Sequence, residues 1–210
     1  RTGEGEPAPE AMRAALREVI SQCIYGVDIN PMSVELCKVS LWMEALEPGK
    51  PLSFLDAHIQ CGDSLVGVSP NLDISEIPDE AFNPAFGDDK ATASALKKRN
   101  KRERTGQLGM RFDVTHLLTN MDDLARWLAE RVAKLDAMPE DQATQVQAKA
   151  KAFDDYHATR EYLKNRLELD LWTAAFFWGI PHADAESMLA PTQQELIQLR
   201  NGGELDARLV

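Results

Sequence analysis

Residues 24–29, IYGVDI, constrain this chain more than any other stretch. The run is short, apolar and rich in β-branched residues, and Asn30-Pro31 cuts it off. Such a run predicts a buried strand. Helical spacing flanks it on both sides. Met12, Leu16, Val19, Ile20 and Cys23 recur at helical intervals through residues 8–23, with Pro9 suited to a first turn. After the strand, Val34, Leu36, Cys37, Leu41, Trp42 and Leu46 mark residues 31–46 as helical, with Asn30 as N-cap and Pro31 at the first helical position. EPGKP at 47–51 ends that helix. AHIQC at 57–61 predicts a second short strand before the turn GDSL at 62–65. Helix, strand, helix, strand is the order of an open α/β sheet.

The acids at the strand ends carry the chemistry. Asp28 closes the first strand and Asp63 follows the second. Ligands of open α/β sheets bind at the carboxyl ends of the strands. A carboxylate there can accept hydrogen bonds from the two vicinal hydroxyls of a ribose. Ile29 beside it can lie against an adenine face, and Asp63 can accept a bond from an exocyclic amino group. Each acid also has a local use: Asp28 can orient the Asn-Pro turn or help cap the next helix, and Asp63 in C-G-D-S is ordinary turn chemistry. Two such acids separated by one helix point to an adenosine-bearing ligand. Spacing does not separate a dinucleotide from S-adenosylmethionine.

Beyond residue 68 the pattern changes. VSPNLDISEIPDEAFNPAFGDD is loop-like, and KATASALKKRNKRER at 90–104 is a basic amphipathic stretch. Residues 113–137 and 141–170 carry long, charged helical patterns parted by Met138-Pro139, which suggests a helical hairpin. DLWTAAFFWG at 170–179 reads as a short buried helix. Thr192 opens a last helix with Glu195 three residues on, a capping box. These shifts divide the chain into 1–70, an α/β piece; 71–112, a loop and basic segment; and 113–210, a helical insert.

The stretch GVDINPMSVELCKVSLWMEALEPGKPLSFLDAHIQCGDSLVG resembles large bacterial adenine-specific DNA methyltransferases of single-chain restriction–modification and phage-defence systems. The resemblance extends to IPDEAFNPAFGDDKATASALKKRNKRERTGQ and DLWTAAFFW. It implies a partial Rossmann-like S-adenosylmethionine-dependent methyltransferase sheet followed by a mainly helical insert. It implies that Asp28 binds the cofactor ribose, that Ile29 packs on its adenine, and that Asp63, with Ser64 beside it, contacts the adenine amino group. Asn30 adjoins them in the same cofactor-binding group. In this subgroup the position of Asp63 often carries Asn. The family's Asp-Pro-x-x-Gly-x-Gly loop and its catalytic Asn-Pro-Pro-aromatic loop do not occur in residues 1–210. The chain is therefore expected to be an internal fragment, inactive alone. Asn83, Pro84 and Phe86 of NPAF sit one substitution from the catalytic tetrapeptide, but SEIPDEAF before them is no central strand.

Net charge and composition narrow the partners. A formal net charge of −11 excludes wrapping of nucleic acid over the whole surface. The local exception is KKRNKRER, where Lys97, Lys98, Arg99, Lys101, Arg102 and Arg104 are candidates for DNA phosphate. The implied partner is double-stranded DNA, bound through the parent protein. Three cysteines without a C-x-x-C pair fit a reducing cytoplasm, and no apolar run of bilayer length is present. His58, His116, His157 and His182 lack metal-ligand spacing, so no metal is expected. Trp172, Phe176, Phe177 and Trp178 read as core. Unpaired strand edges would favour dimerisation of a fragment. Two other classes remain open on the residues alone: a nicotinamide-dependent oxidoreductase fragment using Asp28, and a non-enzymatic helical interaction module.

Overall fold

The computed structural model describes residues 8–68, 72–106 and 121–209. Packing divides them into two units, each assembled from two separated stretches of chain. The first takes residues up to 66 together with 127–159; the second takes 67–126 together with 160–209.

In the first unit, α1 (Pro9–Cys23) leads into β1 (Gly26–Asp28), α2 (Pro31–Glu44) and β2 (Ile59–Cys61). Pro9 and Pro31 each stand at a helix start, where a missing N–H breaks no bond. Asn30 caps α2, its Oδ1 accepting from Met32 N at 2.9 Å. β1 and β2 pair in parallel, with Gly26, Val27 and Asp28 opposite Ile59, Gln60 and Cys61. The helix between them is the crossover that parallel pairing requires. Ile20, Val34, Ala45, Leu55 and Ile59 form the core, with Leu41 and Trp42 against it.

The expected burial of residues 24–29 does not hold. Val27 is 51 % and Ile29 72 % exposed. Among the described residues the sheet has two strands, so β1 lacks neighbours that would cover it.

The later stretch of this unit holds residues 127–136 of α4 (Met121–Asp136) and α5 (Ala143–His157). Composition alone groups them with the rest of 113–210, but packing groups them with the sheet. Glu140 is the reason. Its main-chain carbonyl accepts from the buried Arg17, its Oε2 accepts from Phe54 N at 3.3 Å, and its Oε1 binds the buried Lys149 at 2.7 Å. The Phe54 and Phe153 rings also meet edge to face.

The hairpin expected over 113–170 differs as well. Residues 113–120 lie outside the described residues, and the second helix is two helices, α5 and α6 (Arg160–Ala174). Thr159 between them turns its hydroxyl back onto Tyr156 O at 2.7 Å, a local bond that competes with helix continuation.

The second unit holds a 3-10 turn (Asp79–Phe82), α3 (Lys90–Arg104), α6 and α7 (Gln193–Arg200). Its core includes Ile77, Phe82, Leu96, Leu171, Trp172 and Leu196. The basic stretch is thus one face of a helix whose other face, Thr92, Ala93, Leu96, Asn100 and Glu103, is buried. Thr192 and Glu195 form the capping box of α7. The aromatic cluster is only partly core. Trp172 is buried and donates to Glu76 O, whereas Phe176 and Phe177 are exposed, because α6 ends at Ala174 and the chain turns outward.

Candidate functional site

The parallel register fixes where the strand-end acids sit. Asp28 is the last residue of β1 and lies opposite Cys61, the last residue of β2. Gly62 N continues the ladder by donating to Asp28 O at 2.9 Å. A Cβ on Gly62 would stand 3.4 Å from Val27 Cγ1, so glycine keeps this approach uncrowded. Asp63 follows at once. The two acids therefore occupy the same end of the sheet, the carboxyl end.

Both acids also organise their own turns. Asp28 Oδ1 accepts from Asn30 N at 2.8 Å, and Asp63 Oδ1 accepts from Leu65 N at 2.8 Å. Each is an Asx turn. One oxygen of each carboxylate is used and both side chains are exposed, so the second oxygen faces solvent. Ile29 and Ser64 are exposed beside them. Asn30 spends its side-chain oxygen on the helix cap, which leaves only its amide nitrogen for a ligand. Cys61 is exposed and its thiol points to Ile29 O at 3.6 Å.

NPAF lies in the other unit. Asn83 follows the 3-10 turn rather than a strand, and its Oδ1 accepts from Lys97 Nζ at 3.0 Å. Pro84 and Phe86 are exposed.

The six basic residues of 97–104 have divided fates. Arg99 is turned inward: it pairs with Glu103 at 2.8 Å and donates to the carbonyls of Ala185 and Met188. Arg104 pairs with Glu76 and Asp79, and Arg102 with Glu186. These three are engaged within the protein. Lys98 and Lys101 join no ion pair among the described residues, and with Ala95, Arg102, Thr105 and Glu186 they line an open recess of about 450 Å³.

One cluster escaped the sequence reading. His58, just before β2, is 3 % exposed, stacks on Tyr25 with ring centroids 4.2 Å apart, and lies 3.1 Å from Asp136 Oδ1. Its partners are distant in sequence, so no local signal marks it. Among the described residues no group of three or more His, Cys, Asp or Glu is placed to hold a metal. No helix there is long and apolar enough to cross a membrane.

A family model described as Eco57I restriction-modification methylase matches residues 22–172. No curated protein and no solved structure matches the chain.

Proposed function

Because this chain belongs to the Eco57I restriction-modification methylase family, we propose that it supplies part of the cofactor site of a DNA methyltransferase that uses S-adenosylmethionine and modifies the exocyclic amine of adenine. The observation that carries this reading is the alignment of Asp28 and Asp63 at one end of a parallel strand pair.

The residues present fit the adenosine half of that cofactor. Asp28 holds one oxygen on Asn30 N and offers the other to vicinal hydroxyls. Ile29 presents an apolar side chain, 72 % exposed, next to that carboxylate. Asp63 is fixed by Leu65 N and offers its second oxygen to an amino group. Bound S-adenosylmethionine would bring the methyl group to be displaced. This chain's own part is to bind and orient, which is how such displacement is accelerated when no covalent intermediate is needed. The glycine-rich loop and the Asn-Pro-Pro-aromatic loop do not occur in residues 1–210, so these residues by themselves bind without completing the reaction.

Ligand-dependent thermal stability tests the reading. S-adenosylmethionine raises the melting temperature of the chain and NAD does not, because binding to the folded state alone stabilises it. Protection by NAD without protection by S-adenosylmethionine would overturn the proposal.

A further inference from the structure

We infer that the outward face of α2 is a contact between two copies of this chain, packed helix against helix in antiparallel about a two-fold axis that passes between Leu36 and Val39. The inference does not depend on the cofactor reading, since no residue of this face belongs to the strand-end site.

The inner face of α2 is already satisfied. Val34 and Lys38 are buried there, and Leu41 and Trp42 pack against the core of the first unit. The opposite face carries Met32, Leu36, Val39 and Met43, which are 64 %, 60 %, 45 % and 73 % exposed. Steps of four, three and four residues keep these side chains in one stripe along the helix. Leu46, just past the helix end, is exposed as well. A helix that is apolar on both faces is ordinarily covered on both. Helix α3 shows the contrast, since its outward face carries lysines. An apolar patch of this size rimmed by polar residues marks an interaction surface.

Spacing, charge and area select a second copy as the occupant. The order four, three, four reads the same in both directions. A reversed copy of α2 therefore sets its Met43 against Met32 and its Val39 against Leu36, the layers of an antiparallel helix pair. The flanks of the stripe bring no like charges face to face. Ser33 and Ser40 border one side, and Ser40 Oγ turns back onto Leu36 O at 2.8 Å. On the other side Glu35 comes opposite Trp42 of the second copy, and its carboxylate is held by Lys38 at 2.6 Å. In a chain of net charge −11, this stripe lets copies meet without opposing acids. The stripe and Leu46 expose on the order of 600 Å² per copy, a little under the roughly 800 Å² per partner of a standard interface, which fits a reversible dimer.

The test is sedimentation velocity of the full chain over a dilution series at two salt concentrations. The chain is expected to be half dimeric at about 1–100 μM. Added salt is expected to strengthen the dimer, because it screens repulsion between two acidic copies. Leu36→Lys is expected to raise the dissociation constant about tenfold or more, and its melting temperature at a dilution where the wild type is monomeric is the folding control. A second variant fixes the arrangement. With Cys23, Cys37 and Cys61 replaced by serine, Met32→Cys with Met43→Cys is expected to oxidise to a covalent dimer, since these positions lie about 16 Å apart along one helix and cannot bridge within a copy. A monomer throughout the series overturns the inference. So does a dimer that survives Leu36→Lys and is lost in Val27→Lys or Leu16→Lys, which would put the contact at the open edge of β1 or on α1. A dimer without the cross-link overturns the antiparallel pairing and the inference with it.

Discussion

Asn100 and Gln193 share the main chain of Ile77 between them. Asn100 Nδ2 donates to Ile77 O at 2.9 Å, and Gln193 Oε1 accepts from Ile77 N at 2.7 Å. Gln193 N closes the ring by donating to Asn100 Oδ1 at 2.9 Å. All three groups are buried, so each bond satisfies a polar atom that water cannot reach. Asn100→Ala strands the Ile77 carbonyl and the Gln193 amide, and is expected to lower stability by about 2–4 kcal/mol. Urea unfolding followed by tryptophan fluorescence checks this, with a midpoint near the wild type as the contrary result.

Arg200 offers a second stability test. Its Nε binds the buried Glu168 at 2.8 Å, while its terminal nitrogens reach the carbonyls of Ser75 and Ile74. A lysine keeps the charge but loses the planar fork that serves three acceptors at once. Arg200→Lys is expected to destabilise by about 1–3 kcal/mol. Calorimetry at neutral pH would expose the idea as wrong if the two proteins melted together.

Acid sensitivity follows from Asp88 and Asp89. Main-chain N–H groups of Ile180 and Ala85 hold the Asp88 carboxyl below its ordinary value of 3.8, and the Thr92 N–H does the same for Asp89. The folded protein keeps both ionised at pH values where the unfolded chain binds protons. Their stabilisation is complete above the ordinary carboxylate range and is lost as pH falls through the depressed folded values. Asp88→Asn should therefore melt below the wild type at neutral pH, with the gap narrowing as pH falls from the ordinary carboxylate range through the depressed folded value. A gap that widens on acidification would contradict the assignment.

Asp28→Ala separates ligand binding from folding. Asp28 is exposed and bonds locally to Asn30 N, so its removal is expected to leave the melting temperature within a few degrees. The increment added by S-adenosylmethionine should vanish. Asp63→Asn should retain part of the increment, because an amide can still accept one bond from an amino group. Full protection in Asp28→Ala would remove Asp28 from the site.

Labelled methyl transfer examines the catalytic reading directly. Residues 1–210 alone are expected to transfer no methyl group to DNA. Robust transfer that is lost in Asn83→Ala would instead make NPAF catalytic.

What could be read ahead of the structure was local. The Asn30 cap and the Thr192–Glu195 capping box depend on residues two or three apart. The common end shared by Asp28 and Asp63 followed from the crossover helix, which forces parallel strands. What could not be read depends on distant partners. Residues 127–159 pack with the sheet through Glu140, whose contacts reach back 86 and 123 residues. Lys98 and Arg99 are adjacent in one basic run, yet Arg99 faces Glu103 and Glu195 while Lys98 faces solvent. Helical spacing of Ala93, Leu96, Asn100 and Glu103 held the signal that sorts them. The exposure of Phe177 was hidden because α6 ends before it, and helix ends are poorly marked in a run without glycine or proline.

The bond from Ile77 to Gln193 spans 116 residues. During synthesis at about 5–20 residues per second, Ile77 emerges roughly 6–23 s before its partner exists. The core of the first unit lies within residues 20–59, whereas the core of the second joins Ile77, Phe82 and Leu96 to Leu171, Trp172 and Leu196 from its later stretch. The nascent protein therefore carries one half-built core, that of the second unit, and α3 with its lysines is made before the α7 residue that seats it. A ribosome stalled short of residue 193 would hold a chain whose second unit cannot shut, the state in which chaperones would find it.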